Sequence, residues 1–167
     1  AADAIRDMAY TMMNEKQRKH FDECFEVDLS YGIPGLSRFR VSAYSQRGSV
    51  AMVFRIIAFG VPSFASLNMP PILEKLSMEE RGLILVTGTT GSGKSTTLAA
   101  MIDYINENRT CNIITVEDPV EYLHKDKKSI ISQREIGFDT LTFANALKGA
   151  LRQDPDVILV GEMRDLE

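Results

Sequence analysis

The first 22 residues carry apolar side chains at Ile5, Met8, Met12 and Met13 with charges between them, the spacing of one helix face. From Phe25 the period changes to two. FEVDLS alternates and predicts a strand, and YGIPG predicts a turn at Gly32, Pro34 and Gly35. Two further alternating runs, SRFRVSAYSQ and SVAMVFRII, flank Arg47-Gly48, which suits a two-residue hairpin turn. That turn opposes Phe39 to Ile56, Val41 to Phe54 and Ala43 to Met52, making one apolar side. Arg40 then faces Arg55 on the other side, beside Ser42, Tyr44, Ala51 and Val53. A one-residue slip would scramble this segregation.

Residues 58–71, AFGVPSFASLNMPP, hold three prolines and no clear period, and read as a linker. From Gly82 strands and helices alternate. LILVT predicts a buried strand, Lys94 to Asn108 a helix with Leu98, Met101, Ile102 and Ile105 on one side, and NIITV a second buried strand. SIISQ is a third candidate strand. Thr142 to Gln153 predicts a helix capped by Thr142, with Leu147 and Leu151 inward, stopped by Asp154-Pro155; VILV is the last strand. This order means a parallel sheet covered by helices. The predicted organisation is a small domain over 1–57, a linker over 58–71 and an α/β core over 72–167. The start reads as the middle of a helix without an initiator Met, and the end stops just past a strand, as expected of a segment of a longer protein.

Composition narrows the classes. With 44% hydrophobic residues the chain can bury a real core, and a net charge of -4 argues against a nucleic-acid binder. Cys24 and Cys111 suit neither a disulfide framework nor a metal site and are expected to be buried, reduced thiols in a cytosolic protein. No run approaches the length of a membrane span.

The chemistry centres on Gly88-Thr89-Thr90-Gly91-Ser92-Gly93-Lys94-Ser95, which fits the P-loop pattern. The glycines let backbone N–H groups approach phosphate oxygens, and the helix that follows points its positive end at the same anion. Lys94 is placed to reach the β- and γ-phosphates and Ser95 to bind Mg²⁺, with Thr96 and Thr97 next to the α-phosphate. A chance match in a glycine-rich turn occurs in about one chain of this length in a hundred or fewer. The strand-before, helix-after context reduces it further.

Ligands of open α/β sheets sit at the carboxyl ends of strands. Glu117 and Asp118 follow NIITV, and Glu162 follows VILV. Glu162 is the candidate general base. Glu117 and Asp118 are candidates to hold Mg²⁺ or its waters, since Gly161 stands where a metal-binding Asp is usual. Solvated loop acids are the plainer alternative. The Arg40–Arg55 pair should repel unless an anion faces it, and a γ-phosphate is such an anion. Two splayed surface arginines explain the pair equally well.

Together these residues resemble the type II/type IV secretion ATPase superfamily, the traffic ATPases, and within it the pilus-retraction members. GTTGSGKST looks like the family's Walker A loop, ITVEDPVEYLH its acidic box and LRQDPDVILVGEMRD its Walker B strand with glutamate. Residues 25–57 look like its PAS-like N-terminal domain, with Arg40 and Arg55 where the family places two phosphate-sensing arginines. The resemblance implies a P-loop RecA-like core, truncated at its C-terminal side before the family's histidine box, behind a small α+β domain. It also implies Mg·ATP hydrolysis with Glu162, Glu117, Lys94, Arg40 and Arg55 as catalytic groups. The implied assembly is a homo-hexamer, cytoplasmic, on the inner face of the membrane through a platform protein. The implied work is pilus retraction (twitching motility), with pilus assembly or protein secretion as the alternative. A nucleotide-gated interaction protein without turnover is the alternative of another class. Lacking the histidine box, the chain by itself is expected to be a weak ATPase.

Overall fold

The computed structural model describes residues 2–33 and 36–163 and divides into two compact units, Ala1–Ala58 and Phe59–Glu167. In the first unit the N-terminal helical region is two helices, α1 (Ala2–Met12) and α2 (Glu15–Cys24). The break falls at Asn14, whose side chain accepts from the Gln17 N–H while the Gln17 side chain accepts from the Asn14 N–H, a reciprocal capping box. The inward face differs from the expected one. Ala9, Met13 and Phe21 are buried, whereas Ile5 and Met8 are exposed.

Three antiparallel strands follow in the order β1 (Glu26–Ile33), β2 (Ser37–Gln46) and β3 (Ser49–Phe59). Gly32 lies inside β1 rather than in a turn; Pro34 and Gly35 lie outside the described residues. The hairpin register is the expected one, pairing Phe39 with Ile56, Arg40 with Arg55, Val41 with Phe54 and Ala43 with Met52. Arg47 and Gly48 both take positive φ, 50° and 75°, so the turn matches the right-handed strand twist. The apolar side is only partly covered. Val41, Ala43, Val27 and Leu29 form a core with Ala9, Met13 and Phe21, while Phe54 and Ile56 remain exposed on β3.

In the second unit the segment read as a linker is packed. Phe64, 5% exposed, joins Val61, Leu67 and Met69 against Ala100 and Met101, and α3 (Ile72–Ser77) follows directly. Next come α4 (Lys94–Asn108), β4 (Asn112–Glu117), the short β5 (Tyr122–Leu123), β6 (Ile130–Glu135), α5 (Phe143–Ala150) and β7 (Val157–Val160). Strands β6-β4-β7 form a parallel sheet with β4 central. Ile113, Ile114, Thr115 and Val116 are all buried, which is why that run reads as continuously apolar. Ile102 and Ile105 of α4 pack on Ile113 and Leu159. Asn106, fully buried on α4, accepts from the Lys127 and Ser129 N–H groups and donates to the Lys125 carbonyl, fixing the loop that leads into β6.

Three expectations are corrected here. Residues 83–87 form no strand: Leu83, Ile84 and Leu85 are 80%, 42% and 58% exposed. A parallel strand exists only through a neighbour's ladder, and among the described residues none pairs with this run. On α5 the buried side chains are Ala146 and Ala150, and Leu151 is exposed just past the helix end. Of the cysteines only Cys111 is buried; Cys24 is exposed at the end of α2.

Candidate nucleotide site

The loop from Gly88 to Gly93 reaches α4 through backbone angles that side chains resist. Gly88, Gly91 and Gly93 have φ of 151°, 80° and 91°. A Cβ on Gly88 would meet Ser92 Oγ at 2.5 Å. The loop closes on itself where the Ser92 N–H donates to the Thr89 carbonyl at 3.2 Å. Gly93 takes the N-cap position and no side chain caps α4. That leaves the positive end of the helix dipole uncovered by any side-chain acceptor. Lys94 is the first residue of α4, and its Nζ donates to the Thr89 carbonyl at 2.9 Å, folded across the loop. Ser95 is exposed one position later. Thr97 is tied to the Gly93 carbonyl at 2.9 Å by its hydroxyl, and Thr96 shares a 3.0 Å hydrogen bond with the Tyr122 hydroxyl.

The acids divide by environment. Glu117 ends β4, half-buried, and its Oε1 accepts from the Thr115 hydroxyl at 2.7 Å and from Gln133 Nε2 at 3.2 Å. Burial raises the Glu117 pKa above the usual carboxylate value, against the lowering effect of those bonds and of the Glu121 backbone. Asp118 is exposed beside it. Glu162 lies two residues past β7, the strand paired to β4, so Glu117 and Glu162 leave the same end of adjacent parallel strands. The Thr96–Tyr122 bond brings the acidic segment to the first turn of α4.

Arg40 and Arg55 belong to the first unit, opposite one another on β2 and β3. Arg40 Nη2 meets Asp28 Oδ2 at 3.2 Å, both side chains well exposed. Asp28 sits diagonally across the β1–β2 ladder, where Ser30 is the direct partner of Arg40. A carboxylate one strand away therefore supplies a countercharge for Arg40 without any ligand.

Sequence reading missed the side chains that hold Glu117. Gln133 on β6 carries no motif by itself. One signal was available: alternation through Ile131, Gln133 and Glu135 puts an amide on the inward side of β6. Glu135, 3% exposed and in register with Glu117, was missed as well; its Oε2 accepts from the Val120 N–H at 3.2 Å.

Residues 36–167 match the family model described as type II/IV secretion system protein. The chain is 52% identical to the type IV pilus retraction ATPase PilT of Pseudomonas aeruginosa over 163 residues, 98% of this chain and 47% of that one. It is 53% identical to a twitching motility protein of Neisseria gonorrhoeae over its whole length, 45% of that protein. It is also 49% identical to the type IV pilus ATPase PilU of Pseudomonas aeruginosa over 97% of this chain and 42% of that one. Among solved structures, the pilus retraction motor PilT with bound ADP superposes with a TM-score of 0.92 at 54% identity, covering 96% of this chain and 47% of that one. The chain thus spans about half the length of the curated relatives it matches. With a P-loop ahead of α4, an acid-ended parallel sheet and relatives at this level of identity, the chain belongs to the type II/IV secretion system protein family.

Proposed function

We propose that the chain is the nucleotide-binding part of a Mg-dependent ATPase motor that powers type IV pilus retraction. The observation that carries this is the loop itself: three glycines bent through positive φ deliver Lys94 to the start of a helix that no side chain caps. A polyphosphate fits such a loop, which presents backbone N–H groups and one cation to it. The relatives' names, a pilus retraction ATPase and a twitching motility protein, support retraction as the work done.

The residues present fit a magnesium ion. Among the described residues no three His, Cys, Asp or Glu side chains cluster as a protein-only metal cage. Mg²⁺ needs no such cage, because it keeps several waters and takes oxygen from substrate phosphates. The Ser95 hydroxyl, Glu117 and Asp118 are the hard oxygen donors that would hold it, and bound there it would neutralise charge on the β- and γ-phosphates. Lys94 orients the same phosphates, and Glu162 takes a proton from the attacking water. Arg40 and Arg55 are the candidate phosphate-sensing arginines of this reading.

The motor acts as a homo-hexamer in the cytoplasm, on the inner face of the membrane, held there by a platform protein. No described helix is long and apolar enough to cross a membrane. A second reading, pilus assembly or protein secretion, is supported by type II secretion E proteins such as that of Aeromonas hydrophila, 52% identical over 97 residues. The test is ATP turnover by the full-length protein with and without Mg²⁺. Turnover that depends on the metal and falls on Glu162→Gln, with ATP still bound, supports the reading. Tight ATP binding with no turnover in the wild type would make the protein a nucleotide-gated interaction module instead.

A further inference from the structure

We infer that Gln133 is a positioning residue for Glu117, cross-bracing the acidic segment so that it stays aligned with the P-loop helix. The inference deepens the ATPase reading above and rests on it for its kinetic arm.

The geometry is specific. Gln133 lies on β6 beside Thr115 of β4 in the parallel register. Its amide nitrogen donates twice, to Glu117 Oε1 at 3.2 Å and to the Tyr122 carbonyl at 2.9 Å. Its amide oxygen accepts from the His124 N–H at 2.9 Å. Both N–H groups and the carbonyl are therefore engaged, on three different residues, and no other side chain type of this length offers two donors and an acceptor. Thr115 supplies the second bond to the same carboxylate oxygen, at 2.7 Å. With one oxygen held from two directions, the carboxylate cannot rotate without breaking a hydrogen bond at a half-buried site, where an unmade bond is costly.

The brace continues toward the phosphate loop. Gln133 holds the backbone of Tyr122 and His124, and the Tyr122 hydroxyl bonds Thr96 at 3.0 Å. Thr96 is in the first turn of α4, next to Ser95. The chain of contacts runs from Glu117 through Gln133 and Tyr122 to the helix that starts at Lys94. Removing Gln133 takes one hydrogen bond from the carboxylate, leaving that of Thr115, and both of its bonds from the segment that carries Tyr122. Catalysis is sensitive to misplacement of this order, whereas nucleotide held by the loop is not.

The experiment uses the full-length protein with Gln133→Met, which keeps length and apolar bulk but makes no hydrogen bonds there. Expected is a fall in kcat of about tenfold or more, with KM for ATP and the Kd of a non-hydrolysable ATP analogue within about twofold of wild type. In a Glu117→Gln background the same change should cost markedly less in kcat than in wild type, since Gln133 acts mainly through that carboxylate. Equal fold-losses in both backgrounds, or unchanged kcat, would overturn the inference. A crystal structure of Gln133→Met gives a readout independent of turnover. Glu117 should leave its Thr115 contact or change rotamer, and a Glu117 side chain that stays in place would overturn the inference even if the wild type fails to hydrolyse ATP. Loss of turnover in the wild type, by contrast, would count against the ATPase reading and leave the structural arm to decide on Gln133. Should Gln133→Met not fold, Tyr122→Phe cuts the last link to Thr96 and is expected to lower kcat with the same binding constant; wild-type kcat there would sink the extended brace.

Discussion

Gly161 lies against Glu117. A Cβ built on Gly161 would stand 3.3 Å from Glu117 Cα and from the Val116 carbonyl oxygen, and 3.4 Å from Glu117 Cγ. The Gly161 N–H donates to that carbonyl at 2.8 Å. A side chain at the position where a metal-binding aspartate is usual would press on the β4 backbone, and the carboxylate next to it belongs to β4 instead. Gly161→Ala should cost about 1–3 kcal/mol from overpacking. It should also lower turnover by about tenfold or more while nucleotide affinity holds. Gly161→Asp should be worse on both counts. Thermal melting and steady-state kinetics check this, and a Gly161→Asp protein with wild-type kcat and Tm would refute the packing argument.

Lys94→Ala removes both the cation for the phosphates and the bond to the Thr89 carbonyl that folds the side chain across the loop. Loss of charge-assisted bonds of about 1.5–3 kcal/mol corresponds to nucleotide binding weakened roughly 10- to 150-fold. Calorimetric titration with ADP measures it. Undiminished affinity would mean that the loop's backbone alone binds the phosphates.

Burial raises the Glu117 pKa, so in the nucleotide-free protein its ionised form is disfavoured by folding. The sign follows from proton linkage: the folded state binds the proton more tightly than the unfolded state, so stability falls as pH rises from the unfolded carboxylate value through the raised one. Glu117→Gln should therefore melt above wild type at neutral pH while losing turnover. That advantage should close as pH falls below about 4.3, where the unfolded carboxylate becomes protonated as well. Melting curves over this range test it; a variant less stable than wild type at pH 7 would contradict the sign.

Arg40 and Arg55 differ in their local partners, because Arg40 has Asp28 at 3.2 Å. In the apo protein Arg40→Ala should change stability by less than about 1 kcal/mol, the range of an exposed ion pair. Arg55→Ala should be neutral or slightly stabilising, since it relieves a like-charge pair. If both face the γ-phosphate, each change lowers turnover, and the extra stabilisation by an ATP analogue shrinks. Melting with and without analogue decides: equal stabilisation of wild type and both variants would make them surface residues, Arg40 paired with Asp28.

Local chemistry was legible in the sequence wherever it depends on neighbours along the chain. The P-loop needs glycines at fixed offsets before a helix, and Gly88, Gly91 and Gly93 take the angles that no other residue adopts freely. The Arg47-Gly48 turn set the pairing of β2 with β3, because a two-residue loop leaves one register. Thr142 marked the start of α5 by the same local logic. What depends on partners distant in sequence was not legible. LILVT has the composition of a buried strand, yet pairing needs a neighbour, and Leu83 stands 80% exposed without one among the described residues. Phe54 and Ile56 lie on the apolar side the register requires, but only tertiary packing decided that the helices of the first unit cover Val41 and Ala43 instead. The proline-containing segment around Phe64 looked like a linker because an irregular backbone leaves no period, although its apolar side chains pack on α4. The surroundings of Glu117 come from β6, β5 and the end of β7, so its desolvation, its brace by Gln133 and its contact with Gly161 exist only once the parallel sheet has formed.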